Sequence, residues 1–161
     1  MKYHLEDKRD PCQSEELGRF SLMIGADIPA SLRSFLLYSD GGDPDNNHCL
    51  FKFRSGYSRD DVVTTCIHKL FSVDEIIKSC GLMGITPRET GYIPIGVLDG
   101  ADALMMCIKT VDNGAIFILE GERIEDPSEA PKTRITDNLD SLFLALSHWR
   151  TRFEDVGIVN E

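Results

Sequence analysis

The chain has 161 residues, of which 42% are hydrophobic and 27% are charged, a composition typical of one globular domain that buries its own core. Its 17 basic and 27 acidic side chains give a formal net charge of −10. That charge excludes nucleic acid and anionic membrane as expected partners and favours a basic partner, although acidity also serves solubility alone. We expect a single domain over residues 1–161.

The cysteines and the N-terminus predict a cytoplasmic protein. No two cysteines form a CxxC pair, and an odd number at irregular spacing is typical of reduced thiols. The five are Cys12, Cys49, Cys66, Cys80 and Cys107. The first residues lack the apolar stretch of a signal peptide, and no run approaches the roughly 18 apolar residues of a membrane span. We therefore expect no membrane association.

Two helices are predicted near the N-terminus. Asp10 is the predicted cap of the first, with Pro11 at its first position and Gln13 reaching back as in a capping box; Gly25 is its predicted stop. The second begins at residues 28–29 and ends at the glycines 41–42. Each carries apolar residues at helical spacing, so together they predict a helical hairpin with one apolar side.

The middle of the chain alternates between loop and strand patterns. Residues 40–47 are rich in Asp, Asn and Gly and predict a loop, residues 49–54 alternate as a half-buried strand does, and residues 56–61 predict a turn. Residues 62–71 are rich in β-branched side chains and predict a second strand. Ser72 and Glu75 then form a capping box, which opens a short helix that stops near Gly81, and residues 84–92 form a link.

The stretch 93–119 is the predicted centre of the fold. It contains apolar runs at 93–98, 103–110 and 115–119, separated by Asp-Gly and Asn-Gly turns that tolerate positive φ. Pro94 lacks an amide hydrogen and so places the first run toward a sheet edge or a strand start. The stretch therefore predicts a meander of antiparallel strands.

The last third combines an acidic irregular stretch with an amphipathic helix. The helix is predicted from Asp137 because its apolar residues recur at spacings of three and four. They are Leu139, Leu142, Phe143, Leu146, Trp149 and Phe153. The whole order favours an α+β fold with a mostly antiparallel sheet of about five to six strands, covered by two N-terminal helices and one C-terminal helix.

The sequence contains none of the common catalytic templates, such as GxSxG, HExxH, a P-loop or GxGxxG, so we expect no enzyme and no cofactor. Cys66 and His68 lie two residues apart in a predicted strand and so share a face, which leaves open a thiolate–imidazole nucleophile. The other interpretation is a half-buried structural pair, because no orienting third group is evident nearby.

The loop at 40–47 has the oxygen-rich composition of a calcium site. A twelve-residue calcium loop starting at Asp43 requires glycine at its sixth position and glutamate at its twelfth, where this chain has His48 and Arg54. We therefore predict no metal site.

Several short motifs follow one another over about residues 13–150. They are Glu16-Leu17-Gly18, residues 28–36, Asp40-Gly41-Gly42, Ile93-Pro94-Ile95-Gly96, Asp99-Gly100-Ala101-Asp102, residues 103–108, Gly114-Ala115-Ile116-Phe117 and residues 140–146. Taken in this order, they resemble the SUKH superfamily of bacterial immunity proteins and relatives of a fungal cell-wall regulator of the Smi/Knr type. The chain departs from the usual pattern in three places: Asp40 replaces asparagine, Ala101 replaces glycine, and the link Gly25-Ala26-Asp27-Ile28 follows a longer first helix.

The resemblance implies a small intracellular protein that binds and neutralises a toxin domain, often a nuclease or deaminase, without catalysis. A regulatory protein–protein interaction scaffold of the Smi/Knr type is the alternative, and an enzyme using Cys66 and His68 is a third hypothesis. A basic toxin domain would meet acidic loops. The predicted partner-binding residues are Asp99, Asp102, Glu120, Glu122, Glu125 and Asp126.

Overall fold

The computed structural model describes residues 3–46, 48–55, 62–121 and 133–147, which form an eight-stranded antiparallel sheet with helices packed on it. The elements, in chain order, are β1 (Leu5–Lys8), α1 (Ser14–Ile24), α2 (Ala30–Tyr38), β2 (Gly42–Pro44), β3 (Leu50–Arg54), β4 (Val62–Leu70), α3 (Val73–Met83), α4 (Pro87–Thr90), β5 (Tyr92–Leu98), a 3-10 turn (Asp99–Ala101), β6 (Ala103–Cys107), β7 (Ile116–Leu119), β8 (Thr133–Thr136) and α5 (Leu139–Ser147). The predicted α+β class is confirmed, with more strands than the five or six expected.

The first helix begins later than predicted. Its N-cap is Gln13, whose backbone N–H donates to the Glu16 carboxylate over 2.7 Å, so the prediction that Asp10 caps this helix was wrong. The Asp10 carbonyl oxygen instead accepts a hydrogen bond from the Asp40 N–H at 3.1 Å, which ties this segment to the chain beyond α2. The predicted stop is confirmed, because Gly25 ends the helix at a φ of +70°.

The chain after α2 turns sharply into a short strand where a loop was predicted. The fully buried Ser39 hydroxyl accepts from the Arg9 N–H at 2.9 Å and donates to the Gly41 carbonyl at 2.6 Å. Gly41 has a φ of +82°, and a Cβ there would lie 2.6 Å from the Ser72 backbone nitrogen. Only glycine fits this turn, and it delivers Gly42 directly into β2.

The central meander is confirmed, with β5, β6 and β7 adjacent in a sheet ordered β1-β2-β4-β5-β6-β7-β8, while β3 also pairs with β4. The strand predicted over 103–110 ends at Cys107, because Cys107 exchanges hydrogen bonds of 2.8 and 2.9 Å with Gly114 and Ala115 and so closes the hairpin there. Every residue of β6 is buried, which places this strand in the middle of the core.

Pro94 lies in β5, which has β4 on one side and β6 on the other. The part of β5 that pairs with β4 does not include Pro94. β4 pairs β5 only from Gly96 to Leu98, whereas Pro94 is opposite Met105 on the β6 side. The proline therefore occupies a local edge, where its missing N–H costs no ladder hydrogen bond.

The helices α3 and α5 begin near their predicted positions, whereas α4 was not predicted. The α3 capping box is confirmed, with 3.2 Å from the Glu75 N–H to the Ser72 hydroxyl and 2.9 Å from the Ser72 N–H to the Glu75 carboxylate. The helix continues past Gly81 to Met83, with Gly84 as its C-cap. α4 forms inside the predicted link, and α5 begins at Leu139. The predicted turn at 56–61, Trp149 and Phe153 lie outside the described residues.

An aromatic cluster fastens the N-terminus and two helices together. The Tyr3 ring packs edge-on against Phe35 of α2 at a centroid distance of 5.3 Å and against Phe143 of α5 at 4.8 Å. α5 also contacts β3 and β8, so it closes the core over both halves of the sheet. No helix in the described part of the chain has the length and apolar character needed to cross a bilayer.

Candidate functional site

Three of the six predicted partner-binding carboxylates meet at one end of the sheet. Asp99 opens the turn between β5 and β6, Asp102 ends it, and Glu120 directly follows β7. Because Ala103 pairs with Leu119, the antiparallel ladder places Asp102 opposite Glu120. We call these three residues the acidic rim. The other three predicted residues, Glu122, Glu125 and Asp126, lie outside the described residues.

The turn that carries the rim has an unusual backbone. Gly100 and Ala101 both have positive φ, +69° and +64°, a region that favours glycine. The Asp102 carboxylate accepts a hydrogen bond of 2.6 Å from the Gly121 N–H, and the Asp102 carbonyl accepts one of 2.9 Å from Leu98. Asp102 therefore holds the turn against the end of β7 in addition to contributing charge.

Asp99 is both exposed and anchored. One carboxylate oxygen accepts a hydrogen bond of 3.1 Å from the Cys66 N–H, and the other pairs with the Nε2 of His68. The Asp99 side chain is 50% exposed and that of His68 is 57% exposed. The carboxylate is thus held in place on β4 while it remains accessible to a partner.

Glu120 links the rim to a distant strand. Its two carboxylate oxygens accept hydrogen bonds of 3.2 and 2.9 Å from the hydroxyl of Ser55, which follows β3. The path through the sheet from β3 to β7 runs through β4, β5 and β6, about 19 Å in a flat sheet. A direct hydrogen bond between the two ends therefore requires that the sheet is strongly curled.

Cys66 and His68 do not form a thiolate–imidazole pair in this arrangement. The expectation that no third group orients His68 was wrong, since Asp99 does so. The Cys66 thiol, however, donates to the Ile67 carbonyl at 3.6 Å, and burial, with contributions from Cys49 and the Asp99 charge, raises its pKa to about 12. A thiol with so high a pKa stays protonated at neutral pH, whereas a nucleophilic cysteine needs a lowered pKa.

A separate cleft of about 520 Å³ lies at the other end of the β5–β6 hairpin. The polar side chains that line it are those of Asp27, Arg88, Lys109, Thr110 and Asn113. The Arg88 guanidinium donates to the Leu22 carbonyl at 3.2 Å, which fixes one wall against α1. The described residues that line the cleft include neither cysteine nor histidine, so it brings together no nucleophile and base of that kind.

The oxygen-rich loop at 40–47 is divided among different roles. The Asp40 carboxylate accepts a hydrogen bond of 2.9 Å from Val73 at the start of α3, and burial raises its pKa above the ordinary value. Asp45 instead lies with His4 and His48, and the ligand atoms of these three residues are all within 4.8 Å of one another. Sequence reasoning missed this group because His4 is far from the loop along the chain.

A comparison with protein-family models identifies the chain's relatives. The SMI1 / KNR4 family (SUKH-1) matches residues 11–145, a range that begins before α1, contains the whole acidic rim and ends within α5. No curated protein matches the chain in a direct sequence comparison. The matched range covers most of the 161 residues and confirms the resemblance that the short motifs predicted. The chain therefore belongs to the SMI1 / KNR4 family (SUKH-1).

Proposed function

We propose that this chain is an immunity protein that binds and neutralises a basic toxin domain, of the nuclease or deaminase type, in the cytoplasm. Membership of the SUKH-1 family and a net charge of −10 support this function. The observation that carries the proposal is the acidic rim, because three carboxylates from two separate connections are brought to the same end of the sheet.

The chemistry of the rim suits a basic binding surface. A nuclease cleft attracts phosphates with Lys and Arg, and carboxylates fixed on a turn offer the same charge in a similar arrangement. Hydrogen bonds already restrain Asp99, Asp102 and Glu120, so less side-chain entropy is lost when a partner binds. Glu122, Glu125 and Asp126 follow the rim in sequence, and we propose that they extend the same acidic surface.

The proposed neutralisation is a binding event without catalysis. Cys66, whose backbone N–H donates to Asp99, has a thiol pKa raised to about 12 by burial, and its strand neighbour His68 also pairs with Asp99. These groups stabilise the turn and do not supply an activated nucleophile. Blocking the toxin then depends on occupying its basic cleft, with long-range attraction speeding the encounter.

The test measures binding to the product of the adjacent gene, which the proposal expects to be a toxin. A triple variant, Asp99→Asn with Asp102→Asn and Glu120→Gln, keeps one acceptor oxygen on each side chain and removes the charge of the rim. We expect its association rate to fall at least about tenfold, because electrostatic steering is lost. The matched control removes three exposed carboxylates outside the rim, on α1, the α1–α2 link and α4, and so has the same net charge: Glu15→Gln, Asp27→Asn and Glu89→Gln.

The outcomes separate the function from the location of the binding surface. If the unmodified chain neither binds the neighbouring gene product nor protects cells from it, the immunity function is wrong. If the chain binds and the two triple variants lose affinity equally, the binding surface lies elsewhere and only the rim assignment fails.

A regulatory scaffold is the second candidate, and the observation that favours it is the family itself, which takes its name from SMI1 and KNR4. Such a scaffold would bind signalling proteins of its own cell. The neighbouring genes discriminate between the two, since an immunity gene lies beside a gene for a large secreted toxin.

A further inference from the structure

The strand ladder between β1 and β2 places a histidine opposite an aspartate. Leu5 pairs with Pro44 in this antiparallel ladder, and the Asp45 N–H donates to the His4 carbonyl at 3.0 Å. His4 and Asp45 are therefore the next opposed positions, and side chains of directly opposed residues project to the same side. The ladder itself brings the first two members of the cluster together.

A tight turn adds a second histidine to the pair. The His48 N–H donates to the Asp45 carbonyl at 2.9 Å, and the His48 Nδ1 lies 2.7 Å from an Asp45 carboxylate oxygen. The imidazole rings of His4 and His48 stack at a centroid distance of 4.0 Å and an interplanar angle of 10°. Backbone hydrogen bonds thus fix the relative positions of all three residues.

We propose that His4, Asp45 and His48 form a binding site for a divalent transition-metal ion of the zinc type. Two imidazole nitrogens and one carboxylate oxygen are a common three-residue ligand set for zinc, with water in the fourth position. Nitrogen-rich ligand sets select zinc, copper, nickel or cobalt over calcium, which binds six to eight oxygens. Although the loop has the composition of a calcium site, the two imidazole ligands of the site favour zinc-type metals over calcium.

The dimensions and exposure of the cluster suit this ligand. Its ligand atoms lie within 4.8 Å of one another, whereas ligands about 2.0–2.2 Å from a tetrahedral zinc are about 3.3 Å apart. Because an imidazole nitrogen binds a metal in the plane of its ring, the two stacked rings must tilt out of parallel, and Asp45 must exchange its contact with His48 for one with the ion. All three residues are half-buried, which leaves one side open for the ion and its water. A bound ion would fasten the start of β1 to the loop after β2 and stabilise this edge of the sheet. The site uses no residue of the acidic rim and is independent of the proposed function.

Calorimetric titration of the untagged, reduced and chelator-treated chain with zinc chloride tests the proposal. We expect one ion per chain and a rise in melting temperature on zinc addition. His4→Ala and His48→Ala should each weaken binding at least about tenfold, since even outer-shell changes cost about 10–100-fold. Asp45→Asn keeps the oxygen acceptor but removes the charge, so it should also weaken binding. The matched control is His68→Ala, which breaks a histidine–aspartate pair that belongs to no three-ligand group among the described residues.

Cobalt chloride distinguishes this site from adventitious binding by the free cysteines. Cobalt held by nitrogen and oxygen lacks the near-ultraviolet charge-transfer band of a cobalt–thiolate bond, and we expect no such band. The proposal is overturned if zinc does not bind, if the band is present, or if both histidine variants bind zinc as the unmodified chain does. Thermal melts without metal show whether each variant is folded. If an alanine variant does not fold, zinc binding by Asp45→Asn tests the site instead, and unchanged binding by that variant overturns the proposal.

Discussion

At the scale of single residues, Ala101 is a position where the chain carries strain. Its φ of +64° lies in the left-handed region, which costs an L-residue about 1–2 kcal/mol. Hydrogen bonds from Cys66 to Asp99 and from Gly121 to Asp102 hold both ends of the turn and so maintain that conformation. The glycine of the family-like pattern would adopt the same angles without strain.

Ala101→Gly should therefore stabilise the chain by about 0.5–1 kcal/mol, because relief of the strained φ exceeds the extra backbone entropy of glycine. The opposite exchange, Gly18→Ala, should also stabilise by about 0.5–1 kcal/mol, since a Cβ at this helical position has nothing within 4 Å. Urea denaturation measures both. A lower midpoint for Ala101→Gly would show that the turn does not hold the alanine under strain.

At the scale of elements, one carboxylate joins the end of β1, β4 and α3. Glu75 accepts hydrogen bonds of 3.1 Å from the Arg9 guanidinium and 2.9 Å from the Ser72 N–H, and it pairs with the Lys69 ammonium at 2.5 Å. Burial acts to raise the pKa of Glu75. The hydrogen bonds from Lys69 and Ser72 and the positive charges of Arg9 and Lys69 outweigh this effect and lower the pKa to about 2. The ionised form is thus strongly favoured in the folded state.

This lowered pKa makes the contribution of Glu75 to stability depend on pH. An unfolded glutamate has a pKa of about 4.3, so the stabilisation is complete at neutral pH and is lost as the pH falls from about 5 to about 2. Glu75→Gln should lower the free energy of unfolding by about 1–3 kcal/mol at pH 7 and by much less near pH 2.5. Urea denaturation at several pH values measures this difference, with exposed Glu6→Gln as the control. A difference that stays constant down to pH 2.5 would contradict the assignment.

The elements that the sequence predicts are those whose own residues determine them. α3 has its capping box, and the β5–β7 meander has long apolar runs separated by glycine turns. The strands β1, β2 and β8 were missed because they have only three or four residues and little apolar alternation. Their pairing depends on neighbouring strand edges, which sequence periodicity does not describe.

The candidate sites divide in the same way. Asp99 and Asp102 were predicted on a turn because Asp-Gly chemistry is local. The contact between Asp99 and His68 joins residues 31 apart, and the stacking of His4 on His48 depends on the β1–β2 ladder. Asp10 was mistaken for a helix cap because its long-range hydrogen bond with Asp40 decides the local conformation. Such contacts become visible only when the strand order is known.

At the scale of the whole molecule, the acidic excess is a property that internal pairing cannot remove. The chain has 27 acidic and 17 basic side chains, so 10 carboxylates have no Lys or Arg available for one-to-one pairing. This excess negative charge attracts a basic partner toward the molecule. Repulsion among the same carboxylates also lowers the stability of the folded state. Ion pairs such as those of Glu75 act in the opposite direction.

The dependence of the melting temperature on salt shows whether repulsion between like charges or local ion pairs have the larger effect on stability. Raising sodium chloride from 0.01 to 0.1 M shortens the Debye length from about 30 to about 10 Å, which screens repulsion across the molecule more than it screens contacts at 3 Å. We expect the melting temperature at pH 7.5 to rise by about 2–4 °C, equivalent to about 1 kcal/mol for a chain of this size. The same change at pH 4.8, where the sequence predicts zero net charge, should leave it nearly unchanged. Calorimetry at the two pH values measures this difference, and a falling melting temperature at pH 7.5 would mean that local ion pairs outweigh the net repulsion.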